Sequence, residues 1–173
     1  MCISDTHSKA DKMKTDVPPG DILLHAGDFT NMGSTEDITK FSNFLESLND
    51  KFKYKVVIVG NHELSFDQNC INRLKPKDGE DPRDHLKHCI YLEDSYVELF
   101  GLKIYGSPWQ PEFCQWAYNL ERGQDLLEKW NMIPDDTDVL ISKRIITKCQ
   151  SFLYIKFFKY ICHFSSRTSI RFW

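Results

Sequence analysis

Short apolar runs alternate along the chain with helix-forming stretches, and the early runs end abruptly in clusters of polar side chains. Ile22-Leu23-Leu24 leads into Ala26-Gly27-Asp28, and Lys55-Val56-Val57-Ile58-Val59 leads into Gly60-Asn61-His62-Glu63. Unbroken apolar runs of this length suit strands buried on both faces of a parallel sheet. Between them Ile38, Phe41, Phe44, Leu45 and Leu48 recur at near-helical spacing, which predicts a helix packed on that sheet. Ser34 or Thr35 can cap it, and Glu36 and Asp37 suit its first turn. Only Met1-Cys2-Ile3-Ser4 precede Asp5, so the first strand is expected to be very short, with an upstream extension missing.

Farther along, Tyr96 to Phe100 and Leu102 to Tyr105 flank Gly101 and predict a hairpin that opens a second sheet. A loop follows at Gly106-Ser107-Pro108-Trp109-Gln110-Pro111, then a helix over 123–130 and a strand at Val139-Leu140-Ile141. The stretch 75–87, dense in charge and broken by Pro76 and Pro82, is expected to be an exposed loop. In an alternating architecture the strand at 139–141 should again deliver a motif at its carboxyl end, but it meets Ser142-Lys143-Arg144.

Composition changes the picture at that point. The chain has 173 residues, 41% hydrophobic and 27% charged, which suits one α/β domain with a real core. All 25 acidic residues lie upstream of Lys143, whereas Lys143, Arg144, Lys148, Lys156, Lys159, Arg167 and Arg171 are the charged residues beyond. The expected division is a domain over 1–141 and a basic, aromatic tail over 142–173 outside the domain pattern. The tail's apolar runs fall far short of the roughly 20 residues that span a bilayer, so membrane contact is not expected. An acidic main body argues against nucleic acid as a partner. Six scattered cysteines without CxxC spacing point to free thiols and a cytoplasmic setting.

The clusters carry the chemistry. Asp5-Thr6-His7, Gly27-Asp28 and Gly60-Asn61-His62-Glu63 supply the carboxylates, carboxamide and imidazoles that hard and borderline divalent cations take up. Taken singly, each fits a turn, and Asp28 with Thr30 could cap a helix. Three in this order, each after an apolar run, point to one shared site, because loops beyond the carboxyl edge of an open α/β sheet converge on a common crevice. A pair of divalent ions there would grip a phosphoryl oxygen and acidify a water, which is the chemistry of hydrolysis. Asp28 is the candidate bridge between ions, and His62 can neutralise phosphate charge or protonate a leaving oxygen.

Asp-x-His, Gly-Asp and Gly-Asn-His-Glu in this order resemble the signature of the calcineurin-like metallophosphoesterases. Leu24-His25-Ala26-Gly27-Asp28-Phe29-Thr30, Gly60-Asn61-His62-Glu63-Leu64, Gly106-Ser107-Pro108-Trp109 and Trp130-Asn131-Met132-Ile133-Pro134 resemble its metallophosphoesterase-domain-containing, brain-type subfamily. The resemblance covers about residues 1–141 and implies an α/β sandwich of two sheets flanked by helices. It implies Asp5, His7, Asp28 and Asn61 as ligands of two divalent ions (Mn, Fe or Zn), with His62 catalytic and Asn61 and His62 on the substrate. The implied substrates are phosphomonoesters or phosphodiesters, cyclic nucleotides among them.

The departure follows residue 141. The family places a Thr-His-Gly-Pro-Pro-like loop after that strand and a Gly-His-x-His-like motif later, yet His163 is the only histidine beyond residue 88. The expectation is an incomplete domain, truncated after about residue 141, with little or no turnover, and a tail arising from a splice variant, a frameshift or a gene-model error. The alternative is a non-catalytic nucleotide- or partner-binding protein with a basic tail. His25 is expected to be a packed core histidine rather than a ligand, and His85 and His88 a solvated surface pair. Trp109, Phe113 and Trp116 fit either core packing or an aromatic wall for a base.

Overall fold

The computed structural model describes residues 1–13, 17–70 and 80–143, together with the backbone of 160–163. In chain order the elements are β1 (Cys2–Ile3), β2 (Gly20–Ala26), α1 (Thr35–Glu46), β3 (Phe52–Ile58), β4 (Ile90–Tyr91), β5 (Ser95–Leu99), β6 (Leu102–Ser107), β7 (Gln110–Pro111), β8 (Asn119–Leu120), α2 (Gln124–Asn131), β9 (Val139–Ser142) and β10 (Tyr160–His163). One sheet has the order β1-β2-β3-β4 and is parallel throughout. The second has the order β10-β9-β6-β5, parallel except for the β5–β6 hairpin. β7 and β8 form a small separate pair.

The two-residue period of each strand builds the layers. Leu24, Ala26, Val56 and Ile58 point from the first sheet onto Ile104, Val139 and Ile141 of the second, forming the core between sheets. The alternate positions Leu23, Val57 and Val59 face the opposite way, onto Ile38, Phe41, Phe44, Leu45 and Leu48. On the outer face of the second sheet, Tyr105 and Leu140 pack with Ile133 and the α2 residue Trp130. The architecture is therefore an α/β sandwich of two face-to-face sheets with a helix outside each, as the resemblance implies. The last four residues of β2, β3, β6 and β9 are all buried, because both faces are covered there.

Local signals explain the start of α1 and the β5–β6 turn. Ser34 is the cap of α1, its Oγ accepting the Asp37 N–H at 3.2 Å. The hairpin turns at Phe100 and Gly101, both with positive φ (53° and 75°), so Phe100 belongs to the turn rather than to the strand, and its ring is exposed. The described half of the 75–87 stretch is not simply exposed: Pro82 and Leu86 are buried, and Ser42 of α1 bonds the Lys87 backbone through its Oγ. His85 sits in a 3₁₀ turn near Glu80, whereas His88 lies beyond it near Glu46, so the two share no helical face. No helix among the described residues is long and apolar enough to cross a membrane. Apart from Ser142, Lys143 and the β10 backbone, which runs parallel to β9, the expected tail lies outside the described residues.

Candidate metal centre

β1, β2, β3 and β9 all end at one rim, and the loops that leave them are tied to each other. Asp5 donates its N–H to the Gly27 carbonyl (3.0 Å), His7 to Asp28 (3.0 Å) and Ser8 to Phe29 (2.9 Å), so the first two motifs run side by side. Asp5, His7 and Asp28 all adopt positive φ (54°, 40° and 55°). Asp and His tolerate that region better than most residues, and its clustering here is strain held by the surrounding structure. Two glycines permit the approach. A Cβ on Gly27 (φ 84°) would come within 2.6 Å of the Gly60 nitrogen, and a Cβ on Gly60 would strike the Asp28 carboxylate.

Glu63 ties the second and third motifs together. Its buried carboxylate accepts the N–H groups of Asp28 (2.9 Å), Thr30 (2.9 Å) and Gly60 (2.7 Å) and the Thr30 hydroxyl (2.9 Å). Burial and the nearby Asp28 charge raise its pKa, while these donors oppose the rise. Asp28 is itself buried, and its Oδ1 accepts the His62 N–H at 3.0 Å.

Ligating atoms of His7, Asp28 and His62 lie within 4.8 Å of one another. The two imidazoles meet edge to face, with centroids 4.5 Å apart. His62 Nδ1 is 2.7 Å from the Asn31 carbonyl, which can only accept, so Nδ1 carries the proton and Nε2 is left for a ligand. Trp116 lies against the same ring, centroids 4.2 Å apart. Burial, then the neighbouring His62, lowers the His7 pKa and favours the neutral form that binds cations. Two imidazoles and a carboxylate suit a borderline divalent ion such as Zn²⁺, Mn²⁺ or Fe²⁺.

Asp5 meets a different partner. The Lys143 ammonium, on the first residue after β9, lies 2.7 Å from Asp5 Oδ1 and 2.7 Å from Asp28 Oδ2. Burial alone would raise the Asp5 pKa, but the charge and hydrogen bond of Lys143, with help from Ser4 and His7, leave it lowered. His7 Nε2 is 3.9 Å from the same Asp5 oxygen. Asn61 is buried at this rim, its carbonyl accepting the Ala117 N–H at 3.2 Å. A single-ion fit is therefore good at His7, Asp28 and His62, while the Asp5 side is already held by a protein cation.

His25 is a core histidine. Its Nδ1 accepts the Gly27 N–H at 3.2 Å, its Nε2 faces the Thr6 hydroxyl at 3.3 Å, and Phe41 meets its ring edge to face. Burial lowers its pKa to about 3. Of the three aromatics, only Trp116 reaches the site's histidines. Trp109 packs against Tyr118 and donates its indole N–H to Asp94, and Phe113 is exposed. Sequence reasoning assigned no role to Glu63 or Lys143. The signal for Glu63 was its fixed place in Gly-Asn-His-Glu, and for Lys143 its place directly after the strand at 139–141, where the resembled family carries a histidine.

The calcineurin-like phosphoesterase family matches residues 1–160. Metallophosphoesterase domain-containing protein 1 of Homo sapiens, and that of Mus musculus, are each 47% identical to the chain over 156 residues, covering 82% of the chain and 47% of the relative. A UPF0046 protein of Caenorhabditis elegans is 43% identical over 162 residues, with 82% of the chain and 40% of the relative covered. The chain thus spans about half the length of the curated relatives it matches.

Proposed function

The chain belongs to the calcineurin-like phosphoesterase family, and from that premise we propose that its rim site holds a divalent cation through His7, Asp28 and His62 and serves phosphoester hydrolysis. The observation that carries the reading is the convergence of those three ligating side chains beyond the carboxyl ends of β1, β2 and β3. Such a cation supplies Lewis-acid polarisation of a phosphoryl oxygen and an acidified water. The protein's part is positioning. Glu63 holds the Asp28 backbone from behind, and Asn31 fixes the His62 ring so that Nε2 is left for the cation. The proton on Nδ1 makes Nε2 the atom that can ligate the cation. Asn61, next to His62, is the proposed neutral contact to the phosphate, and Trp116 closes one side of the imidazole.

The proposed substrates are small phosphomonoesters or phosphodiesters, cyclic nucleotides among them, and the metal is Mn, Fe or Zn. We further propose that turnover by this chain is slow. Asp5 and one Asp28 oxygen are engaged by Lys143, and the two later histidine motifs of the family are not in the sequence. Hydrolysis of bis(4-nitrophenyl) phosphate with added Mn²⁺ tests the reading. The expected rate is Mn²⁺-dependent, below about 1 s⁻¹, the lower end of the usual enzyme range, and lost in Asp28→Asn. A rate equal in chelator, or untouched by that substitution, would contradict it, and fast turnover would contradict the impairment alone.

A further inference from the structure

We propose that the Lys143 ammonium is a resident cation of the centre, occupying the position between Asp5 and Asp28 and limiting the site to one divalent ion. The inference rests on the phosphoesterase reading and names what regulates its metal loading. Three observations carry it. The ammonium lies 2.7 Å from one oxygen of each aspartate, so the two carboxylates converge on a single positive centre. Lys143 is only 5% exposed, which for a lysine is tolerable only with compensating charge. Its stem is also accommodated by the chain, because a Cβ on Gly60 would come 3.0 Å from Lys143 Cδ. The missing side chain at Gly60 leaves room for the lysine stem at Cδ.

Charge balance points the same way. Asp5 and Asp28 with Lys143 sum to a single negative charge, and neutral His7 and His62 add none, so one divalent ion takes the cluster to a single positive charge and a second would take it to three. A second would have to displace the ammonium or sit beside it, at a cost that rises steeply where water is excluded. An ion bound by His7, Asp28 and His62 is left only Asp28 Oδ1, which already accepts the His62 N–H, so the lysine competes for that carboxylate as well. Removing the ammonium should both tighten binding and open a second position.

Equilibrium dialysis of Mn²⁺ with elemental analysis of the full chain, wild type against Lys143→Gln and Lys143→His, tests this. Wild type is expected to hold one ion per chain. The variants are expected to hold two, or one with at least about tenfold tighter affinity, and to gain more thermal stability from Mn²⁺ than wild type does. Lys103→Gln, at the opposite end of β6, should match wild type. If the variants bind as wild type does while His7→Ala abolishes binding, the role of Lys143 is overturned and the cation reading stands. If no form binds Mn²⁺, both are overturned. Binding by the variants with none by wild type supports the role of Lys143 and contradicts a loaded wild-type site. Failure of both variants to fold even with millimolar Mn²⁺ overturns the proposal, since a divalent ion then cannot replace the ammonium.

Discussion

Glu63 fixes Asp28 through the backbone: its Oε2 accepts the Asp28 N–H at 2.9 Å and, with the same oxygen, the Gly60 N–H at 2.7 Å. One carboxylate thereby sets the spacing between the loop that carries Asp28 and the loop that carries His62. Truncating it strands three buried backbone donors, since Thr30 is held by the other oxygen. Unmade hydrogen bonds of that kind cost about 1–3 kcal/mol each. Glu63→Ala is expected to lose about 3 kcal/mol or more in urea denaturation and to abolish Mn²⁺ binding. A loss under about 1 kcal/mol would show that the loops are held by other contacts.

Gly60→Ala tests the close approach from the other side. The added methyl group would run into Asp28 and lie 3.0 Å from the Lys143 stem. Overpacking of this sort costs about 1–3 kcal/mol. The expected outcome is a lowered urea midpoint together with weakened cation binding, because the methyl pushes on a ligand rather than on the core. Unchanged Mn²⁺ affinity would mean that Asp28 can move away without leaving the site.

His25 predicts a specific pH dependence. Its pKa is about 3 in the folded chain and 6.5 at its ordinary value, so between those limits the unfolded state binds the extra proton. Stability should therefore rise with pH across the window and be lost as pH falls from about 6.5, by up to about 1.4 kcal/mol per pH unit. His7, also lowered, acts in the same sense, and Glu63, raised, acts in the opposite sense above its ordinary value of 4.5. The readout is thus the difference between wild type and His25→Gln in urea midpoints from pH 7 to pH 5. Parallel curves would show that folding does not lower the His25 pKa.

Much of this was legible in the residue pattern, for physical reasons that particular positions make plain. Two-sided apolar runs at 22–26 and 55–59 and the capped stripe from Ile38 to Leu48 place the first sheet and its helix, and motifs at strand ends place a site at the rim. Phe100 was misplaced because a positive-φ aromatic in a turn has no composition signal. Burial of Pro82 and Leu86 is masked in the sequence by the charges around them, although Leu86 packs into the cluster that contains the α1 residues. The partnership of Lys143 with Asp5 and Asp28 joins residues more than a hundred positions apart in sequence, and a lysine after a strand ordinarily reads as a solvated end. Only parallel pairing of β9 with β6, in the sheet packed against β2 and β3, brings it to the rim.

Anomalous-scattering maps from crystals grown with Mn²⁺ show whether His7, Asp28 and His62 share one divalent cation. One peak is expected within about 2.0–2.3 Å of an Asp28 oxygen, a His7 nitrogen and His62 Nε2. No second peak is expected between Asp5 and Asp28. A peak bonded to other residues, or none at these three at saturating Mn²⁺, would rule out a shared cation there.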